Sequence, residues 1–189
     1  MRLHFSFIID SFATYTILEV NIMNQLKRYT IIGTVFVIFL GTISHFFYDW
    51  SNNNFIVGLF APVNESTWEH MKLIFFPMLL FSLFAIPKLK ENHPCITSSL
   101  FSGILVGTAL IPVIFYTYTG ILGYNVFILD LLTFILAVII AFSIVYKLTL
   151  SCRMQNRTTL LCAVICVVLI CFLIFTFNPP NIGLFAAPL

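Results

Sequence analysis

Apolar residues fall in five long runs, 29–48, 67–87, 97–118, 124–146 and 158–177, divided by short polar stretches. A helix needs about 20 consecutive apolar residues to cross a hydrocarbon core of roughly 30 Å, and each run is of that length. The pattern predicts an all-α fold, a polytopic transmembrane bundle of about five spanning helices. A shorter apolar stretch, Phe55-Ile56-Val57-Gly58-Leu59-Phe60-Ala61-Pro62-Val63, lies between the first two runs. It is too short to span, so it is expected to be re-entrant or interfacial and to hold residues 64–72 against the bundle.

Residues 1–22 break this pattern. They are apolar but carry His4, Asp10 and Glu19, and they lack a small-residue cleavage site. That composition suits neither a spanning helix nor a signal peptide. Met23 opens Met-Asn-Gln-Leu-Lys-Arg, a normal beginning for a membrane protein. We therefore expect 1–22 to be an upstream extension or a disordered or interfacial segment, and 23–189 to form a single transmembrane domain.

Composition points the same way. Of 189 residues, 60% are hydrophobic and 8% charged, against about 25% charged in a soluble domain. Such a chain has lipid as its solvent, and the bilayer is its first expected partner. A net charge of +2 without a basic run excludes nucleic acid as a partner.

The distribution of charge predicts orientation. Lys27 and Arg28 precede the first run, Lys88 and Lys90 follow the second, and Lys147, Arg153 and Arg157 separate the fourth from the fifth. All lie at one end of the bundle. The other end receives Lys72 beside Asp49, Glu65 and Glu69. By the positive-inside rule the N-terminus is cytoplasmic and the tail, 178–189, extracytoplasmic, in a multi-pass protein of the cell membrane. Tyr48, Trp50, Trp68, Tyr116, Tyr118 and Tyr124 gather at the outer boundary, as an interfacial aromatic belt would.

Inside the runs, Ser99, Gly103 and Gly107 recur at four-residue spacing and predict a close helix–helix contact. Pro77 and Pro112 predict kinks. Cys162, Cys166 and Cys171 lie in the last run and read as small apolar residues; with Cys95 and Cys152 they form no metal-binding spacing.

Candidate chemistry concentrates in Pro62-Val63-Asn64-Glu65-Ser66-Thr67-Trp68-Glu69-His70-Met71-Lys72, at the entrance of the second helix. Ser66 to Glu69 is a capping box, in which Ser66 accepts from the Glu69 amide and the Glu69 carboxylate reaches back to the Ser66 amide. The cap leaves Glu65, His70 and Lys72 unexplained. His45 sits at the outer end of the first helix, one turn before Asp49, and Asp130 lies in the fourth. Asp130 is about 9 Å along its helix from Tyr124 at 1.5 Å per residue. That places it within the hydrocarbon, where an acid needs a partner: His45, His70, Lys72, Tyr116 or Tyr118.

His45 and His70 are thus the candidate metal ligands, completed by Glu65, Glu69 or Asp130, with zinc or another divalent ion as the expected metal. Glu65, Glu69 and Asp130 are the candidate catalytic residues. There is no H-E-x-x-H, nucleophile elbow or P-loop, and no cofactor-binding motif.

The segment Pro62–Lys72, with His45-Phe46-Phe47-Tyr48-Asp49-Trp50 upstream and Phe175-Thr176-Phe177-Asn178-Pro179-Pro180 near the end, resembles the signature of a family of small, uncharacterised bacterial integral membrane proteins, a domain of unknown function. The resemblance extends from about Met23 to the C-terminus. The tail departs from it at Phe185-Ala186-Ala187-Pro188, where the family pattern is a more polar Phe-x-Asp-Pro. The resemblance implies a fold and an origin but no activity. Three functions fit the pattern: a metal-assisted intramembrane enzyme acting on a lipid or extracytoplasmic substrate; a small transporter or ion-coupled permeation protein, which with five helices and no visible repeat would be a homo-oligomer; and a non-catalytic assembly subunit in which the polar cluster only pins helices.

Overall fold

The computed structural model describes residues 2–187. They form seven α-helices: α1 (Arg2–Ser44), α2 (Phe47–Trp50), α3 (Phe55–Phe60), α4 (Thr67–Leu89), α5 (Ile96–Leu122), α6 (Phe127–Ser151) and α7 (Thr158–Phe175), with 3-10 turns at Gln155–Arg157 and Gly183–Phe185. No strand occurs among the described residues. Five helices are long and apolar enough to cross a membrane, over Glu19–Ser44, Thr67–Leu89, Ile96–Leu122, Phe127–Ser151 and Gln155–Phe175. The expected spans match these in number, and all but the first, which starts at Glu19 rather than at 29, agree within about five residues in place.

The differences lie at the ends. Residues 2–22 continue α1 toward the N-terminus as helix. At the other end the apolar run extends to Tyr48, but α1 stops at Ser44, whose hydroxyl donates to the Gly41 carbonyl at 2.9 Å. His45 therefore lies just beyond the helix rather than in its last turn. The fourth helix begins at Phe127 and not at 124, after Gly123 closes α5 with a φ of 81°.

α4 is the most enclosed of the five and α7 the least. α4 packs on α1 and α5, α6 packs on α1 and α5, and α7 covers α5. Phe75, Met78, Ile104, Val138 and Phe142 fill the centre. Lipid is as apolar as these side chains, so association depends on close packing rather than on escape from water. The small-residue face of α5 provides it. A Cβ on Gly103 would stand 2.3 Å from Val145 Cγ2 and 3.1 Å from the Ala141 carbonyl oxygen, so only glycine lets α5 and α6 approach this closely. α4 and α5 run through Pro77 and Pro112 as unbroken helix.

At the basic end Cys95, before α5, and Cys152, after α6, form a disulfide across 57 positions of sequence. It ties the α4–α5 connection to the α6–α7 connection. Cys162 and Cys166 are exposed on α7, as expected of small apolar residues on a lipid-facing surface.

Candidate functional site

The site begins where α1 ends. Breaking the helix at Ser44 frees His45 to turn toward the start of α4, where Ser66 takes the cap position with extended backbone. The Ser66 hydroxyl accepts from the Glu69 amide at 3.4 Å, which is the expected half of the capping box. The reciprocal half is made otherwise: the Ser66 amide donates to Asn64 Oδ1 at 2.9 Å, and the Glu69 carboxylate accepts from the Val63 amide at 3.0 Å.

His70 lies one turn inside α4. Its Nδ1 is 2.9 Å from the Ser66 carbonyl oxygen. A carbonyl only accepts, so the ring proton is on Nδ1, and Nε2 of the neutral ring presents a lone pair. That Nε2 stands 3.3 Å from His45 Nε2 and 3.4 Å from Glu65 Oε2, and the remaining side, from His45 Nε2 to Glu65 Oε2, is 3.5 Å. Three potential ligand atoms thus form a nearly equilateral triangle. Zinc holds nitrogen and oxygen at about 2.0–2.1 Å in a tetrahedron, which sets neighbouring ligand atoms about 3.3–3.4 Å apart. The triangle has the dimensions of one face of that tetrahedron.

The electrostatics suit a cation. Without a metal, the doubly protonated His70 ring donates from Nε2, whose proton a metal would replace, to the Glu65 carboxylate. This hydrogen bond is the main influence on the carboxyl, and together with the charges of both histidines it outweighs partial burial and holds the group below the usual carboxylate range. Glu65 is thus ionised and ready to act as a ligand. The two imidazoles are about one-quarter exposed and Glu65 about two-thirds, so the triangle opens to the surface on the Glu65 side.

Glu69 and Asp130 lie outside the triangle. Glu69 is buried against Lys72, with Lys72 Nζ donating to Glu69 Oε2 at 2.7 Å. Nζ also donates to the carbonyls of Gly58 (2.9 Å) and Ala61 (3.4 Å), so all three of its protons are used. Lys72 thereby pins α3, and Glu69 pins Val63, both just ahead of Glu65 in the segment that leads into α4. Asp130, in the first turn of α6, accepts a hydrogen bond from the Tyr118 hydroxyl, one of the partners anticipated for it. Asp49 makes no hydrogen bond or ion pair with His45 among the described residues, and the polar partners of His45 are His70 and Glu65.

Trp68, in the first turn of α4, is buried within the protein, packed on Phe172 and Phe175 of α7 and on Phe185 of the tail, at ring distances of 4.6, 5.9 and 4.8 Å. The tail is also held through the Tyr116 hydroxyl, which donates to the Gly183 carbonyl at 3.2 Å. The Lys72 clamp and the Cys95–Cys152 bridge were missed by sequence reasoning. The only signal for the first is a lysine three residues after a glutamate at a helix start.

The model of a family of unknown function, DUF6512, matches residues 18–189. The chain belongs to this family. The match takes in all five long apolar helices and every residue of the DUF6512 site described above. No curated protein and no solved structure matches the chain.

Proposed function

We propose that this DUF6512 protein is a metal-dependent enzyme of a bacterial cell membrane, in which His45, His70 and Glu65 hold a zinc ion with one open position. The observation that carries this reading is the triangle of ligand atoms, with sides of 3.3, 3.4 and 3.5 Å. Three protein ligands with one vacant position are the pattern of catalytic rather than structural zinc. Such an ion supplies Lewis acidity and a water acidic enough to serve as a nucleophile near neutral pH. The chain supplies the rest. The Ser66 carbonyl fixes the His70 ring and its tautomer, as outer partners of ligating histidines do. Asp130 is held by the Tyr118 hydroxyl and is not one of the ligands. Glu69 serves the loop rather than the reacting atoms. The positive-inside rule supports a cytoplasmic position for the opposite, basic end of the bundle, and with it an extracytoplasmic position for this site at headgroup depth, where it would meet lipids or extracytoplasmic substrates.

Metal analysis of the purified protein tests the reading. We expect about one zinc per chain, lost in His45→Ala and His70→Ala and retained in Asp49→Asn. Absence of metal from protein prepared without chelator, together with a thermal midpoint that added zinc leaves unmoved, would overturn it.

A further inference from the structure

A second site lies at the opposite end of the bundle. A groove of about 460 Å3 runs between α1 and α4, lined by Arg28, Tyr29, Ile32 and Phe36 from α1 and by Phe81 and Phe84 from α4. This volume is within the range of small-molecule sites, roughly 300–1,000 Å3. Arg28, Ile32 and Phe36 are spaced four apart, so they line one face of α1 over about 12 Å. The groove therefore has a cationic mouth at the membrane boundary and an apolar floor that leads toward the bilayer centre. Ile32 and Phe84 remain substantially exposed along it.

The charge at the mouth lacks a protein counterpart. The ion pairs among the described residues all lie at the other end of the molecule, at His45, His70 and Lys72. Arg28, Lys27, Lys88 and Lys90 are exposed at this end without a carboxylate partner among the described residues. A guanidinium binds phosphate in a two-pronged geometry, and a tyrosine beside it is at home at headgroup depth.

We propose that this groove is a binding site for an anionic phospholipid, its phosphate on Arg28 and one acyl chain along Ile32, Phe36 and Phe84. The site is independent of the zinc site and belongs to the leaflet at the basic end. Selectivity resides in the headgroup, because any lipid supplies the chain and only an anionic one leaves net negative charge for Arg28.

Native mass spectrometry of protein equilibrated with equal amounts of phosphatidylglycerol and phosphatidylcholine tests it. We expect one phosphatidylglycerol retained per chain, preferred about fivefold or more, the weight of one basic residue at an anionic surface. Arg28→Gln should abolish the preference. Lys27→Gln removes the same charge from a residue outside the groove and should preserve it. Ile32→Trp, which fills the groove, should expel the lipid. Equal losses in Arg28→Gln and Lys27→Gln would mean a diffuse basic belt and overturn the site. Equal retention of both lipids, displacement by millimolar inorganic phosphate, or a lipid-free dimer that buries α1 against a second copy would overturn it as well.

Discussion

Glu65 shows how one side chain reports on the whole site. Its carboxyl is held below the usual value of 4.5, chiefly by the hydrogen bond with His70. A carboxylate depressed in the folded state contributes stability above its unfolded pKa and loses it as pH falls through the lower, folded value. The contact of Glu65 with the two histidines should therefore persist through pH 4.5 and fail only in stronger acid. A carbon-13 NMR titration of the Glu65 carboxyl in metal-free protein should give a midpoint below 4.5, and His70→Ala should move it upward. A midpoint at 4.5 that is indifferent to His70 would mean that the two side chains do not meet. Residue type alone made Glu65, Glu69 and Asp130 equal candidates. They differ by environment: one is a ligand-ready carboxylate at an opening, one is sealed against a lysine, and one is satisfied by a tyrosine hydroxyl.

Between elements, the Glu69–Lys72 pair acts as a fastening. α3 is six residues long, too short to anchor itself in a bilayer, and the carbonyls of Gly58 within it and Ala61 just after it are both held by the buried ammonium group of Lys72 in α4. Removing one member of a buried, hydrogen-bonded ion pair costs about 3–5 kcal/mol, because the other is left charged and unpaired. Lys72→Met should destabilise the protein by about that amount, measured by unfolding in detergent, and should expose residues 55–66 to protease before the rest of the bundle. Lys72→Met with Glu69→Gln should be less damaging than Lys72→Met alone, since no isolated charge then remains buried. Additive losses in the double variant would show that the two side chains do not act as a pair. Loss of this fastening also releases the segment that carries Glu65, so zinc retention should fall although all three ligands remain.

For the molecule as a whole, the cysteines report which way the bundle faces. Cys95 and Cys152 are joined at the basic end, which the positive-inside rule assigns to the cytoplasm. Cytoplasmic thiols are kept reduced. In acid-quenched cells alkylated after denaturation, both cysteines should therefore be recovered as thiols, with the bridge forming on exposure to an oxidant after isolation. A bridge already complete in intact cells would place the basic end in an oxidising compartment and reverse the proposed orientation.

Much of this protein was legible one residue at a time. Five apolar runs of spanning length and the small-residue face of α5 follow from local composition and spacing, because a bilayer demands a long apolar helix wherever the chain crosses it. The meeting of His45, Glu65 and His70 at one end was legible only as a shared address, since helix count and boundaries say which end a residue occupies but not where its side chain points. Tertiary structure alone decided that α1 would stop at Ser44 and release His45, that Glu65 rather than Glu69 would complete the triangle, and that two cysteines 57 positions apart would meet. Each of these depends on a contact between segments distant in sequence, and periodicity along a single segment carries no record of the surface it will be packed against.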